Sequence, residues 1–235
     1  MARTNLLLAS ASLIVVLLGA SAALSAGKNV DDISKPYRMK VIGASMADQL
    51  ATGLLWEFRG DKSFRISQSA KAATGLVRKD VYNWQAQLEE IVKGDKIDII
   101  VVALGGNDRQ SFFHKGRRLR RFSVLWRAEY LRRLDKFMRT LTSNVPVVYW
   151  VGLPMVRSPR ESKDFVRLNG YFRDVGEPLG ITYLDIYGRF ADQAGKYTSF
   201  GKSLAGRKRR LRQKDGIHFT MAGARKLGKI VGDMI

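Results

Sequence analysis

The chain has 235 residues, 46% of them hydrophobic, with 41 basic and 21 acidic side chains, two histidines and no cysteine. That length suits one domain with a real core, and the lack of cysteine excludes a disulfide framework, a thiolate zinc site and a lipoprotein anchor on cysteine. A formal net charge of +20 points to anionic partners.

Arg3 gives a short positive start, residues 6–18 are apolar, and Ala20-Ser21-Ala22 offers a small-residue cleavage site, with Ala26 a second possible end. Residues 1–26 therefore read as a secretory signal peptide. The alternative is an uncleaved anchor, since residues 6–24 are just long enough to span a bilayer. Either reading places the folded part outside the cytoplasm. Residues 27–36 form a polar linker, and 37–235 form the domain.

Strands and helices then alternate. The first strand is predicted at 37–42 and ends at Gly43. Ser45 follows in the turn, and the first helix covers 47–58. A short second strand spans 63–67, and 68–81 is a loop around Gly75. Trp84, Leu88, Ile91 and Val92 share one helix face, ended by Gly94. Residues 97–104, IDIIVVAL, are nearly all apolar and rich in β-branched side chains, which marks a central parallel strand covered on both faces.

A basic loop follows at 111–123. Leu131, Leu134, Met138 and Leu141 mark a long amphipathic helix. Residues 147–151 form a strand, 162–179 a helix and 181–186 a fifth strand. The segment 187–214 reads as a long loop, and 221–234 as a closing helix capped by Thr220. The alternation predicts an α/β fold with a parallel sheet and right-handed crossovers.

Ser45 stands at the C-terminal edge of a strand, where open α/β sheets hold ligands. It also stands at a helix N-terminus, which favours negative charge. It is the candidate nucleophile; the competing reading is a capping box with Asp48. A serine hydroxyl needs a base, and only His114 and His218 are available. His114 lies in the basic loop, where neighbouring positive charge disfavours a protonated ring.

His218 lies in DGIHFT, three residues after Asp215. That spacing lets the carboxylate reach Nδ1 and frees Nε2 for a serine. The competing reading is an Asp-Gly turn and a packed histidine. Gly105-Gly106-Asn107-Asp108 follows the central strand, and the Asn107 amide can donate to an oxyanion; a plain strand-ending turn is the alternative. Gly75 can present a backbone N–H from a second loop.

Residues 115–133 hold eight basic side chains against Glu129 alone, and 196–214 hold eight more and no acid. In an exported protein such runs suit anionic glycans, lipid head groups or wall polymers better than nucleic acid; simple solvation is the alternative. Arg109, Arg207, Arg209 and Arg210 are the candidates for gripping an anionic substrate.

These blocks together, Gly-x-Ser near the mature N-terminus, a glycine in a second block, Gly-x-Asn-Asp after a central strand and a terminal Asp-x-x-His, resemble the SGNH hydrolases, also called GDSL esterases. NDRQ, YWVGLP, RRLR and DGIHFTMAGARKL look like a bacterial exported branch of that family. The resemblance implies a flavodoxin-like three-layer α/β/α sandwich with a parallel sheet of about five strands. It implies acyl transfer on ester substrates without metal or cofactor, in a periplasmic or secreted protein. Ser45, His218 and Asp215 would form the triad, and Ser45 N–H, Gly75 N–H and the Asn107 side chain the oxyanion hole.

One departure stands out: Ala44 occupies the place of the family's usual Asp, a carboxylate outside the triad that orders the nucleophile turn. The α/β-hydrolase elbow G-x-S-x-G is absent, because Ala47 stands where its last Gly belongs. Two functions follow as expectations. One is an esterase acting on an acylated, anionic glycan or another ester. The other is a catalytically weak relative that binds an anionic glycan or an envelope partner through its basic face.

Overall fold

The computed structural model describes residues 33–235, so the expected signal peptide or anchor and most of the linker lie outside the described residues. Among the described residues no helix is long and apolar enough to cross a membrane.

Five strands, β1 (Tyr37–Gly43), β2 (Phe64–Ala70), β3 (Ile99–Ala103), β6 (Val147–Val151) and β7 (Thr182–Leu184), form one sheet in the order β2-β1-β3-β6-β7. Every pairing in it is parallel. All five residues of β3 and all five of β6 are buried, as continuous apolar runs covered on both faces require. One face carries α1 (Ser45–Glu57) and α5 (Met221–Gly232); the other carries α2 (Trp84–Gly94), α3 (Val124–Asn144) and α4 (Pro159–Gly176). The result is the predicted three-layer α/β/α sandwich.

In this strand order the chain leaves β1 toward one edge of the sheet and leaves β3 toward the other. The carboxyl ends of β1 and β3 therefore bracket the switch point at which such sheets bind ligands. Ser45 begins the helix after β1, and Asn107 lies in the turn after β3.

Several boundaries differ from the sequence reading. β2 runs on to Ala70, and α1 starts at Ser45. α4 starts at Pro159 because the Ser158 side chain accepts from the Glu161 N–H at 3.3 Å, a cap with proline at the first turn. The basic loop contains a hairpin, β4 (Phe112–His114) with β5 (Arg117–Leu119). The long loop after β7 contains another, β8 (Phe200–Lys202) with β9 (Lys208–Arg210). Three-residue strands are too short for a period-2 pattern to show.

Two glycines set how closely the α1 and α5 helices cross. A side chain at Gly53 would strike the backbone of Ala224 and Gly228, and one at Gly228 would strike the backbone of Gly53. Ser45 opens one of these helices, and His218 precedes the other by three residues.

Candidate active site

Gly43 turns the chain from β1 into α1. Its φ is +142°, and a Cβ there would strike the Ala103 carbonyl. Ala44 is the N-cap residue and makes no side-chain cap bond; Ser45 is the first helical residue. The capping-box alternative is therefore not what forms. Asp48 instead accepts from Gln68 Nε2 at 3.1 Å.

The Ser45 hydroxyl faces across the sheet end. Its Oγ lies 2.8 Å from His218 Nε2, and His218 Nδ1 lies 2.6 Å from Asp215 Oδ2. Three residues up to 173 positions apart thus form one hydrogen-bonded line. Asp215 also accepts the N–H groups of Ile217 at 2.8 Å and His218 at 3.0 Å. Partial burial alone would raise its pKa, but those donors and the imidazole outweigh burial and hold it at about 2. It stays ionised at neutral pH, which fixes Nδ1 as the protonated nitrogen and leaves Nε2 free to accept from Ser45.

The turn carrying His218 is clamped from several sides. Gln49, one helical turn after Ser45, accepts the Phe219 N–H at 3.0 Å and donates to the Phe219 carbonyl at 3.1 Å. Gln213 N–H donates to the His218 carbonyl at 2.7 Å. Arg212, fully buried, donates to the Met155 carbonyl at 2.9 Å and the Ile217 carbonyl at 2.6 Å. Burial lowers its pKa to about 10. Neither Gln49 nor Arg212 stands out in the sequence. Gln49 has no distinguishing neighbour, and Arg212 is hidden in a basic run that reads as surface.

Asn107 donates one amide N–H to the Thr74 carbonyl at 2.9 Å and lines the same cavity as Ser45 and His218. Its second N–H remains available to a ligand oxygen. Gly75 differs from the sequence expectation, because it does not line the cavity. Its Cα lies against the Asp108 carboxylate, which a side chain would strike. Ala72 and Ala73 of the same loop line the cavity instead, and among the described residues their N–H groups have no partner.

Behind this wall, the 75–77 segment is held on both sides. Asp108, fully buried, accepts from the Val77 N–H at 3.0 Å and the Tyr130 hydroxyl at 3.0 Å. Arg133 donates to the carbonyls of Leu76 and Val77, each at 3.0 Å. Burial raises the Asp108 pKa to about 6 despite these donors.

The basic residues divide. Arg109 lines the cavity, but it is paired with Glu161 at 2.7 Å and Asp164 at 3.6 Å. Arg207, Arg209 and Arg210 do not line the cavity; they lie exposed on and beside β9, away from the cavity wall. The other histidine, His114, has its Nδ1 3.2 Å from Glu129 Oε1, so its surroundings are not only positive. It lies on β4 and takes no part in the Ser45 line.

The cavity holds about 270 Å³ and opens beside Ser45. Ala44, Met46, Leu153, Val156 and Phe165 supply apolar wall; Asn107, Gln49 and Arg109 supply the polar groups besides Ser45 and His218.

No curated protein matches the sequence. Solved structures similar in fold include an α/β hydrolase enzyme from the metagenome of Lake Arreo, Spain, at 18% identity and TM-score 0.60, over 85% of this chain and 94% of that one. A catalytic mutant of an acetylxylan esterase from Geobacillus stearothermophilus matches at 14% identity and TM-score 0.61, again over 85% and 94%. A carbohydrate acetylesterase from Sinorhizobium meliloti matches at 15% identity and TM-score 0.56, over 84% and 97%. Residues 38–233 match the family described as "Protein of unknown function (DUF459)", so the chain belongs to that family, and it has the SGNH-hydrolase fold, shared with a putative SGNH hydrolase from Slackia heliotrinireducens.

Proposed function

We propose that the chain is an exported serine hydrolase that cleaves acyl esters, with O-acyl groups on an envelope or extracellular glycan as its substrates. The observation that carries this reading is the line from Ser45 Oγ through His218 to Asp215, at 2.8 and 2.6 Å, beside an open cavity. The acetylxylan and carbohydrate acetylesterases among the similar folds support ester and carbohydrate chemistry.

Ser45 Oγ bonds to the acyl carbon as its proton passes to His218 Nε2. The negative charge moves to the former carbonyl oxygen, where the Ser45 N–H, the Asn107 side chain and the 72–73 loop supply donors. A single pre-placed donor of this kind is worth about 3 kcal/mol in a serine enzyme. Collapse breaks the ester C–O bond, and the alcohol leaves with the proton from His218. Water then gives a proton to His218 and attacks the acyl-enzyme. The acid departs, and Ser45 regains its hydrogen. Throughout, Asp215 holds the charged imidazole in place.

The test is hydrolysis of p-nitrophenyl esters and acylated polysaccharide by the wild type and Ser45→Ala. Equal rates for the two would remove Ser45 from the mechanism.

A second reading, a binder of anionic glycan, is favoured by the second basic run, in which no ion pair forms among the described residues. It predicts salt-sensitive glycan binding that survives Ser45→Ala, with negligible turnover even after Ala44→Asp. Covalent labelling of Ser45 by a fluorophosphonate would count against it.

A further inference from the structure

The cavity beside Ser45 is larger and more apolar than an acetyl group requires. Its volume is about 270 Å³. An apolar cavity of about 150 Å³ already holds benzene, a six-carbon ligand. Two carbons would leave most of this space empty, and empty apolar volume contributes no binding.

The wall is apolar on several sides. Leu153, Val156 and Phe165 are buried core residues whose faces also line the cavity. Ala44, where the family resemblance leads one to expect a carboxylate, is a buried methyl on the same wall. Gly106 leaves room between Leu153 and Phe165, since a Cβ there would meet their side chains at 3.6 and 3.7 Å, ordinary contact distances.

Among the described residues, the one Lys or Arg at the wall is already paired with carboxylates. Arg109 pairs with Glu161 and Asp164, and Asp164 also pairs with Arg121 at 2.9 Å. Two guanidiniums and two carboxylates cancel. Among the described residues at this wall, a carboxylate on the acyl chain would find no cation without a carboxylate already beside it, and would lose its water on entry.

We infer that this cavity is an acyl pocket for an uncharged aliphatic chain of about six carbons, by comparison with the benzene-sized cavity above, an inference that rests on the hydrolase reading. The acyl carbon sits at Ser45, the chain extends between Gly106, Leu153 and Phe165, and the alcohol half remains at the open mouth.

The experiment measures kcat/KM for p-nitrophenyl acetate, butyrate, hexanoate and hydrogen succinate. Each buried methylene is expected to raise kcat/KM about fourfold, so hexanoate should exceed acetate by well over tenfold. Succinate should fall at least about tenfold below butyrate, which has the same chain length without the charge. Gly106→Val places two methyls in the pocket and should cut the hexanoate-to-acetate ratio about tenfold or more. Ala72→Trp, on the exposed rim, should do the same without touching the core. Circular dichroism shows whether each variant is folded.

A wild type that prefers acetate, or a ratio unmoved by both folded variants, would overturn the pocket and leave the hydrolase standing. Succinate cleaved as fast as butyrate would overturn the uncharged chain. No hydrolysis of any ester, with no fluorophosphonate labelling of Ser45, would overturn the hydrolase and the pocket together.

Discussion

Two aspartates serve the same site from opposite sides, and their surroundings drive them apart. Asp215 lies on an exposed turn, accepts three hydrogen bonds from the His218 segment and is held at about 2. Asp108 is fully buried behind Asn107 and is pushed up to about 6, although it also accepts several donors. The imidazole beside Asp215 can become positive. The donors around Asp108 are neutral, and Arg133 reaches the carbonyls beyond them. Hydrogen bonds hold a carboxylate ionised when it keeps some water or gains a cation; dry burial wins when it has neither. One aspartate is thus suited to chemistry and the other to holding a loop.

The sharpest break of this contrast is Asp215→Asn. It should lower kcat by about 10⁴-fold on any ester substrate while the chain stays folded. A loss under tenfold would remove Asp215 from the triad.

Asp108→Ala should show the opposite balance. It strands the Val77 N–H and the Tyr130 hydroxyl in the core, at a cost of about 3 kcal/mol, or about 9 °C in a domain of this size. Calorimetry checks it, and an unchanged melting temperature would refute the structural role.

The pH dependence of stability separates the two further. The Asp108 pKa is raised on folding, so the folded state keeps its proton longer than the unfolded chain does. Stability is therefore greatest at low pH on this account and declines as pH rises from about 4 to about 6, by about 3 kcal/mol. Asp215 has the opposite sign. Its contribution is present above pH 4 and disappears as pH falls toward about 2. Urea titrations of wild type and Asp108→Asn between pH 4 and 7 should show the decline in the first and a flatter profile in the second.

The smallest effect is expected at Gln49. Gln49→Leu removes the two bonds to Phe219 and loosens the turn that carries His218. Because both polar atoms of the Gln49 amide are bonded to Phe219, kcat should fall about tenfold with KM little changed. A rise in KM alone would mean that Gln49 contacts the substrate instead.

How far the sequence reached varies with the physics of each element. β3 and β6 were plain because continuous apolar runs have few other readings. Ser45, Asn107, Asp215 and His218 were readable because each sits in a short motif next to the end of a strand or the start of a helix. The two hairpins were not, since strands of three residues leave no periodic trace.

Gly75 was placed on the oxyanion wall because its freedom is visible in sequence. What uses that freedom, the carboxylate of Asp108 thirty-three positions away, is a tertiary contact. The second basic run likewise looked uniform, yet it divides into a buried Arg212 that holds two carbonyls and a hairpin that faces water.

The bare backbones of residues 53 and 228 touch about two turns below the chemistry. The helices bearing them act as the jaws of a caliper, with the alcohol at the tip of one jaw and the imidazole just beyond the tip of the other. A methyl group inserted at the pinch point would spread the tips, and a displacement of about an ångström is enough to slow proton transfer about a hundredfold. The reach of Ser45 toward His218 is thus gauged by two missing side chains, and their hydrogen bond can be broken there with both partners still in the molecule.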